Sequence, residues 1–105
     1  MKWPRITREA LDDAQMAIDQ LVARDPSLGA QFADAMAHAF DLIQMRPRQS
    51  ARLETNRTEF GVRRIILKQF KYLIIYRMVG DDPLVVALMH ASQQPDAWRE
   101  RKADA

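Results

Sequence analysis

Apolar positions recur at three- and four-residue spacing through the N-terminal part of the chain, then switch to a strand-like pattern. Leu11, Ala14, Ile18, Leu21 and Val22 form one stripe, with Asp12, Asp13, Asp19 and Gln20 elsewhere on the wheel, as on a solvated face. Thr7 can cap this run, and Glu9 lies in the first turn, where a carboxylate meets the positive end of the helix dipole. A helix is therefore predicted over residues 8–24. Asp25 can accept from the orphan amides of a second helix, and Pro26 suits its first position. Leu28, Phe32, Ala35, Met36, Ala39, Leu42 and Ile43 form the second stripe, predicting a helix over residues 27–45 that Pro47 cannot continue. Ala30, Ala33, Ala35, Ala37 and Ala39 keep this helix thin enough for close approach. So short a link makes the two helices an antiparallel hairpin spanning residues 8–45. Ahead of it, "KWPRI" (residues 2–6) is a short edge-strand candidate that tolerates Pro4.

Residues 48–61 are polar and aperiodic and read as a loop. "VRRIILKQF" (62–70), "YLIIYRMV" (72–79) and "LVVALMH" (84–90) are rich in β-branched and aromatic residues, with turns at "KQFK" and "GDDP". Three strands with tight links make an antiparallel meander over residues 62–91. The fold class is α+β: a helical hairpin packed on a small, mainly antiparallel sheet, in a single domain of 105 residues. The second and third strands are apolar on both alternating faces. One face can pack on the hairpin; the other needs a different cover, and since the N-terminal strand and C-terminal tail are short, a partner chain is one candidate. Residues 95–105 are expected to form a short helix or tail around Trp98.

Composition narrows the function classes. The 105 residues contain no cysteine, which excludes disulfides, thiolate metal sites and cysteine nucleophiles. No apolar run is long enough to span a bilayer and no secretory signal is read at the N-terminus, so a cytoplasmic protein is expected. The net charge of +2 is unevenly spread. Residues 1–45 carry four basic and seven acidic side chains, residues 46–77 nine and two, residues 78–105 three and five. The basic middle comprises Arg46, Arg48, Arg52, Arg57, Arg63, Arg64, Lys68, Lys71 and Arg77, and its field draws anionic partners.

No glycine-rich phosphate loop or nucleophile elbow is present. His38 and His90 lack partners at metal-ligand spacing, so no metal or cofactor is expected, and His38 reads as a packing residue of its helix. The remaining chemistry-bearing residues cluster in the sheet region: Arg63, Arg64, Lys68, Lys71, Tyr72, Tyr76, Arg77, His90, Trp98, Arg99 and Arg101. Cations interleaved with aromatics suit phosphate contact with base stacking, and equally a protein hot spot. Tyr72 and Tyr76 also read as the rim of the core, and Trp98 as a plug over the sheet end.

The order of these elements, with "GVRRIILKQFKYLIIYRM" and "VVALMHASQQPDAWRER", resembles the RelE/ParE superfamily of bacterial toxins from type II toxin–antitoxin systems. The resemblance covers nearly the whole chain and is closest to the ParE-like branch, with His90, Pro95, Trp98 and Arg101 matching its C-terminal block. Gln93 stands where that block usually has arginine, and Lys71 where a proline often precedes the tyrosine. RelE-like members cut messenger RNA on the ribosome with dispersed basic residues and a C-terminal tyrosine. Arg64 could replace one of those cations, but Ile66, Leu73 and Ser92 or Gln93 occupy the other positions, and no tyrosine follows.

The resemblance therefore implies a toxin that inhibits DNA gyrase by protein binding, without catalytic residues. It also implies a cognate antitoxin whose disordered segment folds over hairpin and sheet in a hetero-oligomer. Contact or support residues are expected to be Arg63, Arg64, Lys68, Tyr76, Arg77, His90, Trp98, Arg99 and Arg101. The alternatives are a ribosome-dependent endoribonuclease with an unusual residue set, or a degenerate, non-toxic module that still binds an antitoxin.

Overall fold

A computed structural model of the chain describes residues 3–49 and 62–92. Within them run β1 (Arg5–Ile6), α1 (Arg8–Arg24), α2 (Ser27–Met45), β2 (Val62–Leu67), β3 (Tyr72–Val79) and β4 (Asp82–His90). The sheet has the order β1-β4-β3-β2, antiparallel except for the parallel pairing of β1 with β4. Both helices pack on one face of it. The expected tail at residues 95–105 and most of the loop at 48–61 lie outside the described residues.

Thr7 explains why so short a β1 holds. Its backbone N–H donates to Val85 O at 2.9 Å and its Oγ1 donates to Val86 O at 3.4 Å, while the same Oγ1 accepts from Ala10 N at 3.1 Å. One buried side chain thus caps α1 and ties its start to β4. The stripe on α1 is rotated from the sequence reading. Ala10, Ala17 and Leu21 are buried with Ala14 and Ile18 partly so, whereas Leu11 and Val22 are exposed. At the hairpin elbow, Asp25 Oδ1 accepts from Ser27 N and Ser27 Oγ, both at 3.0 Å. Glycine, more than alanine, sets the approach of the helices. A Cβ on Gly29 would sit 2.6 Å from Val22 Cγ2, while Ala30 and Ala33 face outward.

Asp13 departs from the expected solvated face. Its Oδ2 accepts the backbone N–H of Leu88 at 3.1 Å. β1 pairs with β4 only at Leu84 and Val85, so beyond that point this side of β4 has no strand neighbour among the described residues. The carboxylate satisfies an edge amide that no strand reaches. Position 13 lies three residues after Ala10 and four before Ala17, on the buried face, and that spacing was the available signal. Asp13→Ala is expected to cost about 1.5–3 kcal/mol, the range of a charge-assisted bond whose donor is left partly buried, and Asp13→Asn clearly less. Urea melts of the two variants measure this; an unchanged midpoint for Asp13→Ala would exclude the role.

The strands end earlier, and begin earlier, than their hydrophobic runs suggest. β2 stops at Leu67, and residues 68–71 form a four-residue loop closed by Lys71 N donating to Leu67 O at 2.8 Å. Lys71 takes the left-handed conformation, φ 59°. A proline there would lose both that φ and the closing hydrogen bond. The β3–β4 turn is shorter than "GDDP": Val79 pairs with Asp82 around Gly80 and Asp81, with Gly80 at φ 64°. Pro83 lies inside β4, outside its pairing with β1.

The two sheet faces carry separate cores. Ile74, Tyr76, Val85 and Leu88 join Leu21, Phe32, Met36, Phe40 and Ile43 under the hairpin. On the other face Val62, Ile75, Leu84, Val86, Ala87 and Met89 form a second buried cluster, with Leu73 against it. The register shift at Ile75/Tyr76 leaves Val86 as the extra residue of a bulge. A partner chain is therefore not required to cover this face: its side chains are buried in the single chain, Ile75 completely.

Candidate functional site

Strand alternation separates the cations that sequence proximity had grouped. Arg63 pairs with Tyr76 on the hairpin face, while Arg64 pairs with Ile75 and Arg77 with Val62 on the opposite face. All three arginines are half-buried; Lys68 is exposed in the β2–β3 loop. Tyr76 is fully buried, and its hydroxyl donates to Pro47 O at 2.6 Å, which anchors the exit of α2 to the sheet. Its placement is that of a support residue. Trp98, Arg99 and Arg101 lie outside the described residues.

His90 ends β4 and stacks edge-on to Tyr72, ring centroids 5.2 Å apart. Tyr72 meets Phe32 at 5.4 Å, and Phe32 meets Phe70 at 5.1 Å, again edge to face. This aromatic row fastens the hairpin loop and the end of β4 to α2. Nδ1 of His90 accepts the backbone N–H of Ser92 at 3.1 Å and lies 2.7 Å from its Oγ. An N–H can only donate, so the hydrogen of the neutral ring is on Nε2.

A groove of about 600 Å³ lies between α2 and β2. Ala35, Ala39, Leu42, Ile65, Ile66 and Leu67 supply its apolar lining, and Gln31, Asp34, His38 and Gln69 its polar lining. Gln69 Nε2 donates to Gln31 Oε1 at 3.1 Å across one end. Leu42, expected in the core, is 50% exposed here, and His38, expected to pack inside its helix, is exposed as well. The side chains of Ile65 and Leu67 point toward α2, while β2 is the edge strand on this side of the sheet. Sequence periodicity had assigned Leu42 to the core because it lies on the apolar stripe; only the position of α2 over the sheet margin leaves it uncovered.

No group of three or more His, Asp or Glu among the described residues is placed to hold a metal ion, and no described helix is long and apolar enough to cross a membrane. These features define a class: a small α+β domain with a helical hairpin on one face of an open, mostly antiparallel sheet, its cations dispersed along the strands and a groove beside the sheet edge. Residues 5–95 match the model of the family described as ParE toxin of type II toxin-antitoxin system, parDE. The chain belongs to this family of toxins. Among solved structures it is similar to the chromosomal ParDE toxin–antitoxin system from P. aeruginosa, with a TM-score of 0.71 and 18% identity over 84% of this chain and 94% of that one. At that identity the likeness concerns the fold. No curated relative matches the sequence.

Proposed function

We propose that this toxin acts by binding DNA gyrase rather than by cutting RNA, and that a cognate antitoxin holds it inactive in a hetero-oligomeric complex. The observation that carries the non-nucleolytic part is the surroundings of Arg64. Its face of the sheet presents Ile75 and Met89, both buried, and Leu73 packed against them. Arg77 is the one other cation of β2, β3 and β4 on that face, where a RelE-like nuclease would gather several around a scissile phosphate. Ile66 and Leu73, at two of those positions, are cross-strand partners and neither carries charge. The choice of gyrase rests on membership of the ParE family. Gyrase supercoiling in the presence of the purified toxin tests it: molar excess is expected to abolish supercoiling. Normal supercoiling together with new 5′ ends on translated messages would assign the ribosome instead.

The antitoxin segment is proposed to lie in the α2–β2 groove, where exposed Leu42 offers an apolar anchor and β2 a strand edge that pairs with no other strand among the described residues. Leu42→Lys keeps helix propensity and removes no buried contact, so Tm is expected to move by no more than about 2 °C. Placing an ammonium in the anchor position is expected to weaken antitoxin binding roughly tenfold or more. Titration of labelled antitoxin measures it, and wild-type affinity in Leu42→Lys would move the contact elsewhere.

A further inference from the structure

At the elbow of the helical hairpin lies a second cavity, which shares Gln69 with the α2–β2 groove and which the toxin reading leaves unused. It measures about 360 Å³ and is lined by Leu21, Arg24, Leu28, Gln69, Phe70, Lys71 and His90. Three elements far apart in sequence bring basic groups to it: the last turn of α1, the β2–β3 loop and the end of β4. No lining residue is acidic, and neither Arg24 nor Lys71 has an ion pair among the described residues.

We propose that this cavity is a binding site for a small phosphomonoester. Both full cations stand on rigid backbone. Arg24 closes a helix of 17 residues. Lys71 is held on both sides, its N–H donating to Leu67 O at 2.8 Å and its carbonyl accepting from Ala91 N at 2.7 Å. Glycine would adopt the left-handed φ of 59° with less strain than lysine, so the loop geometry alone does not call for this side chain. Two cations placed around one concavity on hydrogen-bonded backbone can close on a dianion by adjusting only their own rotamers. The volume exceeds that of a bare ion and lies in the range of small-ligand pockets. Leu21, Leu28 and Phe70 give it an apolar wall, which suits a ring or short hydrocarbon attached to the phosphoryl group.

The test uses the full chain, with adenosine 5′-monophosphate, inorganic phosphate and adenosine as probes at constant ionic strength. Backbone amide NMR titration locates binding, and thermal shift follows its strength. Both phosphate-bearing probes are expected to shift the amides of Gln69 and Lys71 and to raise Tm, the nucleotide more than the free ion, with adenosine inert. Arg24→Gln and Lys71→Gly are each expected to weaken the nucleotide about tenfold, the loss of one charge-assisted bond. Lys71→Gly retains the left-handed loop, so its fold is preserved and a loss of binding reports the missing ammonium. Three results overturn the site: no response to the nucleotide, an equal response to adenosine, or unchanged affinity in both variants. Shifts centred on Arg63 and Arg64 would likewise overturn it, by placing the anion on the basic strand.

Discussion

Ile75→Asp is expected to abolish cooperative folding. Ile75 sits at the centre of the second core, with no exposed surface, between Arg64 on β2 and Ala87 on β4. A carboxylate there loses the packing of a buried isoleucine and gains a charge with no water. Each contribution costs several kcal/mol, and together they reach the whole stability of a small domain. The matched control is Ile66→Asp, on the same face of the neighbouring strand but 41% exposed, where the cost stays within about 1 kcal/mol. Circular dichroism melts separate the two: loss of the transition for Ile75→Asp and a near-wild-type curve for Ile66→Asp. A folded Ile75→Asp that no longer associates with antitoxin would show that this face is an interface after all, as the alternating apolar pattern alone had suggested.

Phe32→Ala carries the second largest effect. The ring is fully buried in α2 and touches both Phe70 in the β2–β3 loop and Tyr72 at the start of β3. Truncation leaves a cavity where helix, loop and strand meet, at about 3–5 kcal/mol. For a domain of this size that lowers Tm by roughly 12–25 °C. Phe32→Leu fills most of the volume and is expected to recover more than half of the loss. Thermal melts of the two variants check the order, and a Phe32→Ala midpoint within about 5 °C of wild type would show that the aromatic row is peripheral. Because Tyr72 in turn braces the His90 ring, the same substitution is expected to loosen the end of β4. Faster amide exchange at Ala91, whose N–H is held by Lys71 O, reports that step.

The site candidates show where sequence reasoning stops. Arg63 and Arg64 are adjacent in the chain and so lie on opposite faces, a consequence of strand geometry that the sequence does state. What it does not state is the environment of each face. Tyr76 carries the same residue type as Tyr72, yet one is sealed with its hydroxyl on Pro47 and the other lines an aromatic row. The groove beside Leu42 and the cavity between Arg24 and Lys71 gather residues from elements distant in sequence, and neither has a motif.

By itself the sequence determined the elements and their order. Helical spacing, Thr7, Asp25-Pro26 and Pro47 placed both helices at the boundaries the structure shows, since capping and proline chemistry act within a few residues. β-branched runs placed the meander, and the C-terminal pattern pointed to the toxin family to which the chain belongs. Only the tertiary structure decided that the second sheet face is core, that Asp13 satisfies the open edge of β4, and that Leu42 and His38 face a groove. Burial depends on what else lies over a surface; periodicity along one strand or helix says which residues share a face, as for Asp13 with Ala10 and Ala17, and not what covers that face.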